Sequence, residues 1–177
     1  MGRSKTEAQA ILGEKFNGIG VSDDYAAYKD LFETHQLCWA HLLRKAIKLM
    51  LQHPDQPQYA TFFRDLYAIY QQAIGYQRDQ RLSVGRKGKV QQLKAQIRKL
   101  CTRSGETIDP LKTPTDEATF VRLQNELLNG IEALFVVVEH PEVEATNNRS
   151  ERNVPVYFHS YELKRNTSTS EEKTMGF

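Results

Sequence analysis

The sequence predicts an α/β chain in which helix far outweighs strand: a small strand–helix–strand unit, a long helical block, then a polar closing segment. Three observations predict it. Two short apolar runs with strand character lie about a dozen residues apart near the start, the least that a parallel crossover needs. From residue 40 onward, apolar side chains recur every three or four positions, the period of a helix packed along one face. Beyond Pro141 that pattern stops, and Asn, Glu and Arg crowd together. The divisions fall at 1–41, 42–140 and 141–177.

Each element has a local cause. Ser4 to Glu7 reads as a capping box opening a helix over Lys5–Leu12, which Gly13 can close. Gly18–Ser22 reads as a short buried strand ending at Asp23 and Asp24. Tyr25–Phe32 is a short amphipathic helix, and Gln36–Trp39 a second strand. Leu42, Leu43, Ala46, Ile47 and Met50 place a helix over Ala40–Leu51, broken by His53-Pro54-Asp55-Gln56-Pro57. Phe62, Phe63, Leu66, Ile69 and Tyr70 mark a second long helix. Val90, Leu93, Ile97 and Leu100 mark a third, over Val84–Cys101. Thr115 caps a fourth that carries Phe120, Leu123 and Leu127. Ile131–Val138 suits helix or strand, and helix is favoured because it continues the preceding period. The tail from Asn166, rich in Ser, Thr and Glu, is expected to fray.

Composition narrows the function. With 177 residues and 40% hydrophobic content, the chain suits one domain, or one domain with a large insertion. A balance of 24 Lys+Arg against 22 Asp+Glu excludes a histone-like polycation and an acidic tail protein. Two cysteines, Cys38 and Cys101, exclude a disulfide framework and fit a reducing compartment. No run of about 18 apolar residues exists, so no membrane partner is expected, and a cytoplasmic location is.

Four groups could carry chemistry. Asp23 follows an apolar strand, where open α/β sheets place ligands, and suits a divalent cation; alternatively it is a helix N-cap. Cys38-x-x-His41 has the reach to bind zinc but shows no matching pair, so a buried Cys with a hydrogen-bonding His is the other reading. Thr146 or Asn147 can cap a helix on which Asn147, Asn148, Glu151 and Arg152 are neighbours, either a site or an exposed charged helix start. Arg78–Arg103 holds nine cations against the single acid Asp79. Arg86, Lys87, Lys89, Lys94, Arg98 and Lys99 form a cationic helix suited to a polyanion, or else a solvated face.

Together, Val21-Ser22-Asp23-Asp24-Tyr25-Ala26-Ala27-Tyr28, Gln36-Leu37-Cys38-Trp39-Ala40-His41-Leu42-Leu43-Arg44-Lys45 and Val143-Glu144-Ala145-Thr146-Asn147-Asn148-Arg149-Ser150-Glu151-Arg152 closely resemble, in order and spacing, DDE transposases of the insertion sequence 66 family. The resemblance runs over roughly residues 5–152. It implies a partial ribonuclease-H-like core carrying a large helical insertion before the last catalytic helix. It implies DNA strand cleavage and transfer at a two-metal site of Mg²⁺ or Mn²⁺. By that resemblance Asp23 is the middle carboxylate and Glu151 the last. Asn147, Asn148 and Arg152 would support Glu151 or contact phosphate, with Cys38 and His41 in a positioning role.

Two departures qualify the resemblance. No strand ending in Asp precedes Asp23, so the family's first carboxylate is missing, and the chain alone is expected to be a catalytically inactive fragment. After Arg152 the family's Ala-Leu-Arg-Pro-like run is replaced by Asn153-Val154-Pro155-Val156. The expected partners are DNA and further copies of the chain, since the first strand would keep an unpaired edge; no small-molecule substrate is expected. The alternatives are a non-enzymatic DNA-binding or regulatory helical protein and a plain helical scaffold.

Overall fold

Two parallel strands begin the structure: β1 (Phe16–Ser22) and β2 (Phe32–Leu37), with Ile19 opposite Thr34 and Ser22 opposite Leu37. The computed structural model describes residues 16–23, 32–82, 84–101 and 114–146. Gly20 is required where the strands meet, because a Cβ there would collide with the Phe32 ring. The expected helices over 5–12 and 25–31, the helix expected to carry Glu151, and the tail lie outside the described residues.

Among the described residues five helices follow: α1 (Trp39–Gln52), α2 (Pro57–Arg78), α3 (Arg86–Leu100), α4 (Thr115–Asn129) and the single turn α5 (Val136–Glu139). Helix accounts for 64% of the described residues, so the expected dominance of helix holds. The parallel pair fits an α/β class, while nothing among the described residues extends it to a ribonuclease-H-like sheet. In α1 one face is continuous from Trp39 through Leu42, Leu43, Ala46, Ile47 and Met50, all buried. Pro57 sits in the first turn of α2, where its missing N–H costs nothing. α2 packs against α1, α3 and α5, and its Phe62, Phe63, Leu66 and Ile69 fill the centre.

Several boundaries differ from expectation. Trp39 starts α1 rather than ending a strand, because its ring completes the buried helical face; Cys38 is the extended residue before it. Phe32 to His35 belong to β2, not to a helix and loop, because the pairing with β1 begins at Phe32. β1 is half-buried rather than buried. Thr115 is the first helical residue of α4, and Pro114 occupies the cap position. Residues 131–138 do not continue α4. Gly130 ends that helix, packed so closely on Leu37 that a Cβ would overlap its side chain, and the segment 131–135, buried except for the exposed Glu132, turns before α5.

Candidate functional site

The carboxyl end of β1 is fixed by two hydrogen bonds. The buried Ser22 hydroxyl shares one with His35 Nε2 across the sheet at 2.7 Å, and the Ser22 carbonyl accepts one from the Cys38 N–H at 2.8 Å. Asp23 follows directly, half-buried, at the strand end where parallel sheets place their ligand sites. Its carboxylate is a hard oxygen donor suited to Mg²⁺ or Mn²⁺.

The next amide along the chain reaches elsewhere. Trp39 N–H donates to the Ala145 carbonyl at 3.0 Å. Consecutive amides at the start of α1 therefore hold both the strand end before Asp23 and the segment that leads to residues 147–152. That segment is also held from α2, where the Gln77 amide donates to the carbonyls of Pro141 at 3.1 Å and Val143 at 2.7 Å. Asn147, Asn148, Glu151 and Arg152 themselves lie outside the described residues.

Gln36 was not singled out from the sequence, yet it organises this junction. It is fully buried; its amide donates to the carbonyls of Leu37 at 2.6 Å and Leu134 at 3.1 Å, and its oxygen accepts from Val137 N–H at 2.8 Å. The Trp39 indole donates to the same Leu134 carbonyl at 2.7 Å, and Leu37 N–H to the Ala133 carbonyl at 2.7 Å. Buried polar groups must be paired, and here one amide satisfies backbone groups about a hundred residues away. The available signal was a glutamine directly before the apolar run Leu37-Cys38-Trp39.

Cys38 is buried, and its carbonyl accepts from the His41 N–H at 3.2 Å; the His41 ring is half-exposed on α1. Burial pushes the Cys101 thiol up to about 12, so without a metal it stays protonated at neutral pH. Among the described residues no group of three or more His, Cys, Asp or Glu could hold a metal.

The basic run divides by environment. The Arg86 guanidinium donates to the carbonyls of Tyr76 at 2.8 Å, Val138 at 2.8 Å and Asp79 at 3.1 Å, closing the ends of α2 and α5. Lys94 is buried and ion-paired with Glu132 at 2.5 Å. Both cations are thus engaged inside the fold. Lys89 is half-buried, its ammonium 5.2 Å from the Tyr76 ring centre. Lys87, Arg98 and Lys99 face solvent. The described residues of α3 contain no acid to offset them.

No described helix is long and apolar enough to cross a membrane. No curated protein and no solved structure matches the chain. The family model described as Transposase IS66 family matches residues 1–171, which include all three sequence blocks and the junction that joins them. The chain belongs to the IS66 transposase family.

Proposed function

We propose that this chain takes part in divalent-cation-dependent cleavage and transfer of DNA strands, with Asp23 and Glu151 as two of the carboxylates that serve the cation. One observation carries the proposal: the strand end that precedes Asp23 and the segment that leads to Glu151 are hydrogen-bonded to adjacent amides, those of Cys38 and Trp39. Glu151 follows Ala145 by six residues, which bounds its reach from that anchor to roughly 20 Å of extended chain.

Among the described residues, Asp23 is the one carboxylate at this strand end, the right kind of donor but short of an octahedral set. When bound, Mg²⁺ or Mn²⁺ would supply Lewis acidity at a phosphodiester. The protein's own part is positional. Ser22, His35 and the Cys38 amide hold Asp23 in place, and Gln77 with the Trp39 amide holds the approach to Asn147, Asn148, Glu151 and Arg152. Cys38 and His41 position the start of α1. Lys87, Arg98 and Lys99 meet the DNA backbone, with Lys89 beside them. A working place on the bacterial nucleoid and assembly of several copies belong to the same reading.

Binding of Mn²⁺, followed by electron paramagnetic resonance, tests the carboxylates. Asp23→Asn and Glu151→Gln are each expected to weaken it on the order of tenfold or more, at least the loss seen when a supporting residue of a metal site is removed. Unchanged affinity in both variants would exclude the assignment. The non-enzymatic reading is favoured by one observation, the acid-free exposed face of α3. It expects salt-dependent duplex binding that is indifferent to Mg²⁺ and to both acid substitutions.

A further inference from the structure

We propose that the groove between α1 and α4 is a second DNA-contacting surface, which takes the phosphodiester backbone of a strand running on from the Asp23 end of the sheet. The groove encloses about 360 Å³, with Leu49 and Leu123 among its lining and Lys45, Lys48, Arg122 and Glu126 supplying its charge. Its single acid is spent: Lys45 Nζ lies 2.7 Å from each Glu126 oxygen. Lys48 and Arg122 are exposed, and among the described residues neither has an ion-pair partner. Two uncompensated cations on adjacent helices therefore face one cleft, a charge pattern that fits a phosphate chain.

Helix geometry sets the spacing. Cys38 holds the strand end before Asp23, and α1 begins at the next residue. With a rise of about 1.5 Å per residue, Lys45 lies about 9 Å and Lys48 about 13 Å along the axis from Trp39. That is roughly three to four base-pair rises of about 3.4 Å. In this reading a duplex engaged at Asp23 lays its backbone along this stretch of α1. The surface is built from α1 and α4, so it is separate from the exposed cations of α3. The proposal rests on DNA being the partner, as set out above.

The test measures binding of a fluorescent duplex by the whole chain between 50 and 200 mM salt, in the range where phosphate contacts dominate. The variants are Lys48→Gln with Arg122→Gln, Lys87→Gln with Arg98→Gln and Lys99→Gln, and Arg64→Gln as an exposed control on α2. Each lost phosphate contact should lower the salt slope by about 1. The groove pair should therefore lose about 2 and weaken binding about tenfold or more at the higher salt. The charge-preserving pair Lys48→Arg with Arg122→Lys should restore both, and thermal melting should be unchanged throughout.

Full slope and affinity in the groove pair, with loss in the α3 triple, would overturn the groove and leave DNA as the partner. An equal loss with Arg64→Gln would reduce the effect to net charge and overturn it too. No duplex binding by the unaltered chain would overturn both this proposal and the reading it rests on. A groove that instead captures polyglutamate with the same variant dependence, and no DNA, would belong to an acidic protein partner.

Discussion

Gln36 concentrates several dependencies in one side chain. Replacing it with Leu keeps the bulk but leaves the Val137 N–H buried without an acceptor, while the Leu134 carbonyl keeps its Trp39 donor. An unsatisfied buried group costs about 1–3 kcal/mol, so Gln36→Leu should lower stability by that order in urea unfolding. Tyr59 offers a pH test. Burial first, and then its hydrogen bond to Asp116 at 2.8 Å, pushes its hydroxyl from 10.0 up to about 12. Protonated Tyr59 therefore contributes fully below pH 10, and the contribution is lost as pH rises toward 12. The same bond, as the largest cause, holds the Asp116 carboxyl below its ordinary value. Its contribution is present above that ordinary value and lost as pH falls through the lowered one. Tyr59→Phe should flatten both limbs of a stability–pH curve measured from urea midpoints; unchanged limbs would assign them to other groups.

Among the elements, α3 separates fold from surface. Arg86 caps the carbonyls of Tyr76 and Val138 near the ends of α2 and α5, and shares the Asp79 carbonyl with the Leu82 N–H. Arg86→Ala should cost about 2–3 kcal/mol, as expected for charge-assisted bonds to partly buried carbonyls, and leave the salt slope of duplex binding unchanged. Neutralising Lys87, Arg98 and Lys99 should do the reverse. Urea unfolding beside a salt titration separates the two. At the end of α4, Gly130→Ala would push a methyl group into Leu37. Overpacking of this kind costs about 1–3 kcal/mol, and a lower urea midpoint at unchanged slope would report it. The sequence marked Gly130 as nothing special, because the constraint comes from β2 and not from its neighbours in the chain.

At the scale of the whole molecule, the strand pair and the helical block are joined by backbone bonds from residues 37 and 39 to residues 133 and 145. These bonds make independent unfolding of the two parts unfavourable. The chain has one tryptophan, Trp39, buried at this junction. Its fluorescence should therefore change at the same urea concentration as the helical circular dichroism, within error. Two separated transitions would show that the junction does not couple the parts.

The sequence by itself determined where the four longer described helices lie, because helical periodicity is written in neighbouring residues: the α1 face from Leu42 through Leu43, Ala46 and Ile47 to Met50 is set with no reference to the rest of the chain. It also marked Asp23 at a strand end and three blocks in family order. Tertiary structure alone decided which polar groups serve the fold. Gln36 and Arg86 are satisfied by carbonyls of residues distant in sequence, as is the Trp39 amide, and Lys94 by a distant carboxylate, so local pattern could not separate them from surface or site residues. It also decided where β2 yields to α1: burial of the Trp39 ring outweighs the β-propensity of the run before it.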